Sequence, residues 1–103
     1  MSYRLLIRRQ AKTDLRRATR WYEKQLPGLG RESIAEVEAM LNRIVENPLQ
    51  YQTIYRETRR SQTRRFPYGI FYRIEDAHIV VFAIVHLHRD DSAWRDRMKV
   101  SPN

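Results

Sequence analysis

The sequence predicts an α+β fold, in which an N-terminal strand and an antiparallel helical hairpin pack on a twisted, mainly antiparallel β-sheet. Three observations support this prediction. Apolar residues recur every three or four positions between Ala11 and Ile44, they recur every second position from Tyr68, and residues 78–87 are almost continuously apolar. With 103 residues, the chain is long enough for one hydrophobic core and too short for two, so we expect a single domain over residues 1–103.

The first strand and the first helix are predicted within residues 3–26. Residues 3–8 form a short apolar segment with an arginine near each end, which is typical of a short strand. From about Ala11 the apolar spacing becomes helical, and the cations fall mainly on the other faces, so this helix is amphipathic and basic. Pro27 and Gly28 end it. Its predicted buried stripe is Ala11, Leu15, Ala18, Tyr22 and Leu26.

A second helix is predicted between Gly30 and Asn47. It ends at Asn47-Pro48, because the residue before a proline avoids the α region. Since only three or four residues join the two helices, they must lie antiparallel and can turn their apolar stripes to one sheet. The predicted buried stripe of the second helix is Ile34, Val37, Leu41 and Ile44.

A β-hairpin is predicted for the C-terminal part of the chain. Its first strand buries Tyr68, Ile70, Tyr72 and Ile74, and its turn spans residues 75–78. Strict alternation then places Ile79, Val81, Ala83 and Val85 on one face of the last strand and Val80, Phe82, Ile84 and His86 on the other. We expect this strand to be central, with the helices on one face of the sheet and a tail or a partner segment on the other.

The charge of the chain indicates an acidic partner. Lysine and arginine number 20 against 12 acidic residues, a formal charge of +8, and most of the cations are arginines, which suit phosphate and carboxylate. Nucleic acid, an acidic protein segment and an acidic enzyme surface all fit. The absence of cysteine excludes disulfides and thiolate zinc sites. We expect a cytoplasmic protein without cofactor, metal or membrane-spanning segment.

Several short motifs occur in a fixed order along the chain. They are Ala11-x-x-Asp14-Leu15, Trp21-Tyr22, Pro27-Gly28-Leu29-Gly30, Ile44-Val45-Glu46-Asn47-Pro48, Arg64-Arg65-Phe66-Pro67-Tyr68-Gly69-Ile70-Phe71-Tyr72 and His86-x-x-Arg89-Asp90. Together they cover nearly the whole chain. The ordered set resembles the RelE/ParE superfamily of toxins from bacterial type II toxin-antitoxin modules, and the Arg-Phe-Pro-Tyr segment and the Pro-Gly-Leu-Gly turn are closer to its ParE branch.

The resemblance implies a toxin that is neutralised by a cognate acidic antitoxin in a hetero-oligomer. ParE-like toxins are implicated in poisoning DNA gyrase, whereas RelE-like toxins cut mRNA on the ribosome with lysines, arginines and a C-terminal tyrosine or histidine. This chain has no tyrosine after Tyr72, and Lys99 is its only lysine after Lys24. We therefore expect gyrase as the target and no enzymatic activity. The alternatives are an mRNA endoribonuclease and a basic nucleic-acid-binding module.

If the nuclease alternative holds, the resemblance suggests His86, Arg65, Arg73 and Arg89 as catalytic residues. Imidazole suits proton transfer to a ribose oxygen at neutral pH. The more conservative interpretation is that His86 and His88 are a structural pair at the end of the sheet or the rim of a partner surface. A metal site formed with Asp90 or Asp91 would lack a third ligand at a recognised spacing, so we expect none.

Arg59, Arg60, Arg64 and Arg65 are candidates for partner binding, together with Trp21. On a predicted strand, Arg60 and Arg64 would share one face and Arg59 and Arg65 the other. They could bind an antitoxin or phosphates, or they could be the charged guard of an edge strand.

Two further residues have alternative interpretations. Trp21 is adjacent to Tyr22 and cannot share its helical face, so it is either a core-edge residue or a partner contact. Arg73 lies among apolar residues and must reach solvent or meet a carboxylate, for example one from a partner.

Overall fold

The computed structural model describes residues 3–87, and this part of the chain folds as a sheet covered on one face by two helices. The elements in chain order are β1 (Arg4–Ile7), α1 (Arg9–Gln25), α2 (Leu29–Glu46), one turn of 3-10 helix (Pro48–Gln50), β2 (Thr53–Tyr55), β3 (Thr58–Gln62), β4 (Tyr68–Glu75) and β5 (His78–His86). The strand order is β1-β5-β4-β3-β2. β1 runs parallel to β5, and every other neighbouring pair is antiparallel. The predicted α+β fold is confirmed.

The turn between the helices is closed by a carboxylate. Glu23, near the end of α1, accepts hydrogen bonds from the backbone N–H groups of Gly28 and Gly30, each at 3.0 Å. Gly28 has a φ of 92°, the left-handed region that favours glycine. A Cβ on Gly30 would lie 2.8 Å from the backbone oxygen of Thr19, so only glycine lets the helices approach this closely.

The main core lies between the helices and the sheet. The predicted helix stripes supply most of it. In α1, Leu26 departs from the prediction, because the helix ends at Gln25 and the extended backbone of Leu26 turns its side chain away, leaving it 57% exposed. In α2, Ile34 is only half-buried and Ser33 is buried instead. The buried core residues are Ala11, Ala18, Tyr22, Val37, Met40, Leu41, Ile44, Phe66, Tyr68, Ile70, Tyr72, Ile79, Val81 and Ile84.

A β-bulge divides β5 into two parts with opposite phase. Tyr72 pairs with Val81, whereas the preceding Phe71 pairs with Ala83, so Phe82 is an extra residue in β5. The prediction of strict alternation is therefore wrong from Ala83 onwards. After the bulge, Ile84 packs in the helix-facing core with Ile79 and Val81. Phe82, Ala83 and Val85 pack with Phe71 on the opposite face of the sheet.

The predicted arginine strand is only partly correct. β3 ends at Gln62. Arg64 and Arg65 follow it in a bend, so their predicted strand faces are wrong. The bend is closed by Thr63, whose backbone N–H donates to the Tyr68 carbonyl at 3.1 Å and whose hydroxyl accepts from the Tyr68 N–H at 3.1 Å. Arg59 and Arg60 remain on different faces of the sheet. Arg59 pairs with Tyr72 of β4, and Arg60 pairs with Phe71.

Candidate functional site

A histidine and several aromatic rings form a cluster at the open end of the β4–β5 hairpin. His86 is 7% exposed, and its Nε2 lies 2.9 Å from the hydroxyl oxygen of Tyr22 in α1. The Tyr22 ring also packs edge-on against Phe66 and Tyr68, with centroid distances of 4.9 and 6.1 Å. His86 reaches this cluster because the bulge reverses the phase of β5, so that the His86 side chain faces the helices.

Trp21 is the exposed member of this cluster. Its ring lies edge-on to Tyr22 at 5.1 Å and to His86 at 6.3 Å, and the residue is 39% exposed. As expected for adjacent residues of α1, Tyr22 is buried and Trp21 is exposed, although the indole also contacts the ring cluster. Trp21 thus lies at the edge of the core and also presents a surface to solvent.

The surroundings of His86 are those of a packed side chain. Its neighbours include the phenol groups of Tyr22 and Tyr68 and the indole of Trp21. Within residues 3–87, no group of three acidic or histidine side chains converges in a way that could hold a metal ion. The Tyr22–His86 contact closes the gap between α1 and the end of the sheet.

The bend after β3 is attached to α2 through Arg65. The guanidinium NH1 of Arg65 lies 2.5 Å from Glu32 Oε1, and its backbone N–H donates to Glu36 Oε2 at 2.7 Å. The same guanidinium lies over the Phe66 ring, 5.0 Å from its centroid. Arg64, next to it, is exposed. Of these two partner-binding candidates, Arg65 is therefore engaged within the chain.

Arg59 is also engaged within the chain. It donates to the backbone carbonyls of Tyr51 at 2.5 Å and Leu49 at 3.3 Å. Beside it, the Tyr72 hydroxyl donates to the Pro48 carbonyl at 2.6 Å. Burial raises the pKa of Tyr72 from its usual 10.0 to about 12, although the positive charge of Arg59 acts in the opposite direction. Arg60 lies half-buried on the other face of the sheet.

Arg73 finds its carboxylate within its own strand. Its guanidinium lies 3.4 Å from Glu75 and 5.5 Å from the centroid of the Phe82 ring. Arg73 pairs with Val80, whereas His86 pairs with Tyr68, so the two candidates lie at opposite ends of the hairpin. Five residues of β4, about 17 Å, separate these positions.

Of the nuclease candidates within residues 3–87, His86 and Arg73 thus lie at opposite ends of the hairpin. Arg65 lies in the bend and His86 lies in the helix-facing cluster. Arg73 packs with Phe82, on the opposite face of the sheet. Arg89 and His88 lie outside the described residues, as do Asp90 and Asp91.

Two surfaces of the folded chain are not among the sequence-predicted binding candidates, although α1 itself is predicted to be basic. The first is the solvent face of α1, where every cation of the helix is exposed. We call the following set the α1 basic face: Arg9, Lys12, Arg16, Arg17, Arg20 and Lys24. The four-residue repeat of cations was the signal for it.

The second surface is the outer edge of β1, where Leu5 and Leu6 are 37% and 44% exposed. Strand order could not be derived from the sequence pattern, so this edge was not predicted.

No helix within residues 3–87 combines the length and the apolar character needed to cross a membrane.

The chain is similar to known toxins in both sequence and fold. The family model described as ParE toxin of type II toxin-antitoxin system, parDE, matches residues 5–91. No curated protein sequence matches significantly.

Three solved structures illustrate the likeness of fold. A chain from the chromosomal ParDE system of P. aeruginosa superposes with a TM-score of 0.74 and 16% identity, covering 82% of this chain and 96% of that one. A chain of the RelBE2 toxin-antitoxin complex from Mycobacterium tuberculosis superposes with a TM-score of 0.57 and 25% identity, covering 84% of this chain and 99% of that one. A mutant of the E. coli toxin RelE in the free state superposes with a TM-score of 0.64 and 15% identity, covering 98% of this chain and 100% of that one.

Proposed function

Because the chain belongs to the ParE toxin family of type II toxin-antitoxin systems, we propose that it arrests growth by poisoning DNA gyrase. In this proposal the toxin traps a protein–DNA complex and needs no catalytic residue of its own. The choice of gyrase, rather than mRNA, as the target is the part of the proposal that goes beyond family membership.

The separation of His86 from Arg73 is the observation that carries this proposal. A general base must lie within hydrogen-bond reach of the proton that it removes, with cationic groups beside the developing charge. His86 is buried against Tyr22, and Arg73 is about 17 Å away along the hairpin. Arg65 is held by Glu32 and Glu36. This arrangement favours an action by binding over an action by acid–base catalysis.

A matched pair of variants tests this proposal against the nuclease alternative. Tyr22→Phe removes the hydroxyl from the contact between the two side chains, whereas His86→Gln replaces the imidazole with an amide that has no acid–base role. A gyrase poison predicts that the two variants, induced without antitoxin, arrest growth to the same extent. Loss of arrest in His86→Gln alone, with the same melting temperature in both variants, would contradict the proposal and indicate catalysis by His86.

We also propose that an acidic antitoxin neutralises this toxin by adding an extended segment to the outer edge of β1. β1 is the last strand of the sheet on that side. Its half-exposed Leu5 and Leu6 offer apolar contacts, and Arg4 and Arg9 offer positive charge. Strand addition to such an edge is a common mode of peptide recognition. Arg64 and Trp21 remain exposed candidates for further contacts with the same partner.

The cognate acidic antitoxin of this proposal is the natural probe for this edge. We expect Leu6→Glu to weaken its co-purification with the toxin, because the glutamate repels an acidic segment and removes apolar contact area. Leu49→Glu is the matched control, because Leu49 is exposed and lies outside β1. Equal retention of the antitoxin by both variants would show that it binds elsewhere.

A further inference from the structure

The cations of α1 all lie on its solvent side. A rotation of 100° per residue places Ala11, Ala18 and Tyr22 in the core and the α1 basic face opposite them. Lys12, Arg16, Arg20 and Lys24 follow each other at four-residue steps. Such steps correspond to rises of about 6 Å, so the row extends over about 18 Å. Each step also turns about 40° around the helix, so the row forms one ridge of positive charge that is inclined to the helix axis.

The carboxylates of α1 do not neutralise this ridge. The helix has two, Asp14 and Glu23. Asp14 accepts a hydrogen bond from the backbone N–H of Ile84, and Glu23 accepts from the N–H groups of Gly28 and Gly30. The two ion pairs found within residues 3–87 involve Arg65 and Arg73, neither of which belongs to α1. The positive charge of the ridge is therefore available to a partner.

The arrangement of charge opposes the stability of the helix that carries it. Like charges four residues apart repel each other, and cations in a first helical turn oppose the macrodipole. α1 has no acidic residue in its first turn and no side-chain cap at Arg8, while Arg9 and Lys12 lie at this end. A polyanion bound along the ridge would offset this repulsion.

We infer that the α1 basic face binds the phosphate backbone of duplex DNA. Gyrase poisoning as proposed above does not require the toxin to touch DNA, so this contact is an additional function of the surface. Duplex DNA is a stiff polyanion with one charge per ~1.7 Å of its axis, which matches a rigid row of cations. An acidic protein partner would normally contribute apolar anchors, and the centre of this face has no apolar residue to receive them. Single strands usually stack on aromatic rings, which the centre also lacks.

The salt dependence of binding tests this inference without gyrase. The purified chain is titrated with a short duplex of mixed sequence between about 0.05 and 0.2 M salt. Arg16→Gln/Arg20→Gln removes two charges from the ridge. Arg31→Gln/Arg43→Gln removes two charges from exposed positions of α2 and is the matched control. Removal of one phosphate-binding cation should lower the magnitude of the slope of log K against log salt by about 0.9.

The expected result is a drop of about 1.8 in the slope for the α1 variant, with less than half of that drop for the control. Equal drops in both variants would overturn the inference, because net charge alone would then explain binding. No binding of the duplex by the unmodified chain would also overturn it. Competition by poly-glutamate as strong as that by DNA, at equal charge concentration, would overturn it in favour of an acidic protein partner.

Loss of fold is excluded by comparing the melting transitions of the two variants. We expect the α1 variant to melt no lower than the control, because its substitutions relieve repulsion. If the double variant does not fold, Arg20→Gln against Arg31→Gln gives the same comparison with an expected slope change of about 0.9. A failure here together with trapped gyrase complexes would leave the proposed function intact and remove only the DNA contact.

Discussion

The carboxylate of Asp14 accepts a hydrogen bond from the backbone N–H of Ile84, with 3.1 Å between Oδ2 and N, and so joins the first helix to the last strand. β1 pairs with β5 only as far as Val81. Beyond this point no described strand lies on that side of β5. The Asp14 side chain therefore supplies the Ile84 N–H with the acceptor that a neighbouring strand would otherwise supply. The Ala11-x-x-Asp14-Leu15 motif at the start of α1 thus has a structural role.

Asp14→Ala should destabilise the fold by about 1–3 kcal/mol, because it leaves a partly buried backbone N–H without its acceptor. Asp14→Asn retains an oxygen acceptor and should cost clearly less. Denaturant unfolding measures both free energies. Equal destabilisation in the two variants would mean that the charge of Asp14, rather than its hydrogen bond to Ile84, carries the effect.

Leu41 and Leu26 allow the same substitution at two depths. Leu41 is buried, and Leu41→Ala should cost about 2–5 kcal/mol, because it removes packing interactions and leaves a cavity. Leu26 is exposed at the end of α1, and Leu26→Ala should change the unfolding free energy by less than about 0.5 kcal/mol. Comparable destabilisation at both positions, measured by urea unfolding, would show that the described end of α1 is wrong.

Tyr72 should make the fold sensitive to alkali. Its pKa is about 12 in the folded chain and 10.0 ordinarily. The unfolded state therefore loses its proton first as pH rises. Stability linked to Tyr72 is complete below pH 10 and is lost between pH 10 and about 12, by up to ~2–3 kcal/mol.

Tyr72→Phe isolates this effect from the other tyrosines. At neutral pH the variant should be less stable by about 1 kcal/mol, because it cannot donate a hydrogen bond to the Pro48 carbonyl. Between about pH 10 and 12 its unfolding free energy should fall less steeply than that of the unmodified chain. Parallel curves, recorded by circular dichroism in urea, would contradict a raised pKa for Tyr72.

Arg59 and Arg65 should respond differently to replacement by glutamine. Arg65 forms an exposed ion pair with Glu32, so Arg65→Gln should cost less than about 1 kcal/mol. Arg59 donates to two backbone carbonyls beside Tyr72, and Arg59→Gln should cost about 1–2 kcal/mol. Thermal and urea unfolding test this order. The reverse order would mean that the contacts of Arg65 in the bend stabilise the fold more than those of Arg59 beside the 3-10 turn.

The helices and most strands could be predicted because their apolar periods are long and are ended by clear signals. Pro27 and Pro48 mark the ends of the two helices, and residues 68–74 alternate without interruption. The extra residue at Phe82 could not be found, because one apolar residue among several carries no sign that it is a bulge. This single residue decides that Ile84 and His86 face the helices.

The arginines were harder to place, because their positions depend on tertiary contacts. The strand predicted through Arg64 and Arg65 stops at Gln62, since Thr63 closes a turn and the Arg65 N–H is taken by Glu36. Glu36 lies 29 residues away in the sequence. The carbonyl partners of Arg59 and the carboxylate of Arg73 likewise follow from how the strands come together.

The most direct test of the proposed function is to incubate the purified chain with DNA gyrase, ATP and relaxed plasmid, and then to denature the enzyme. We predict inhibited supercoiling together with linear plasmid that carries covalently attached gyrase, and the same outcome with His86→Gln. Unimpaired supercoiling and no linear plasmid, from folded protein that still arrests growth, would contradict gyrase poisoning and favour ribosome-dependent cleavage of mRNA.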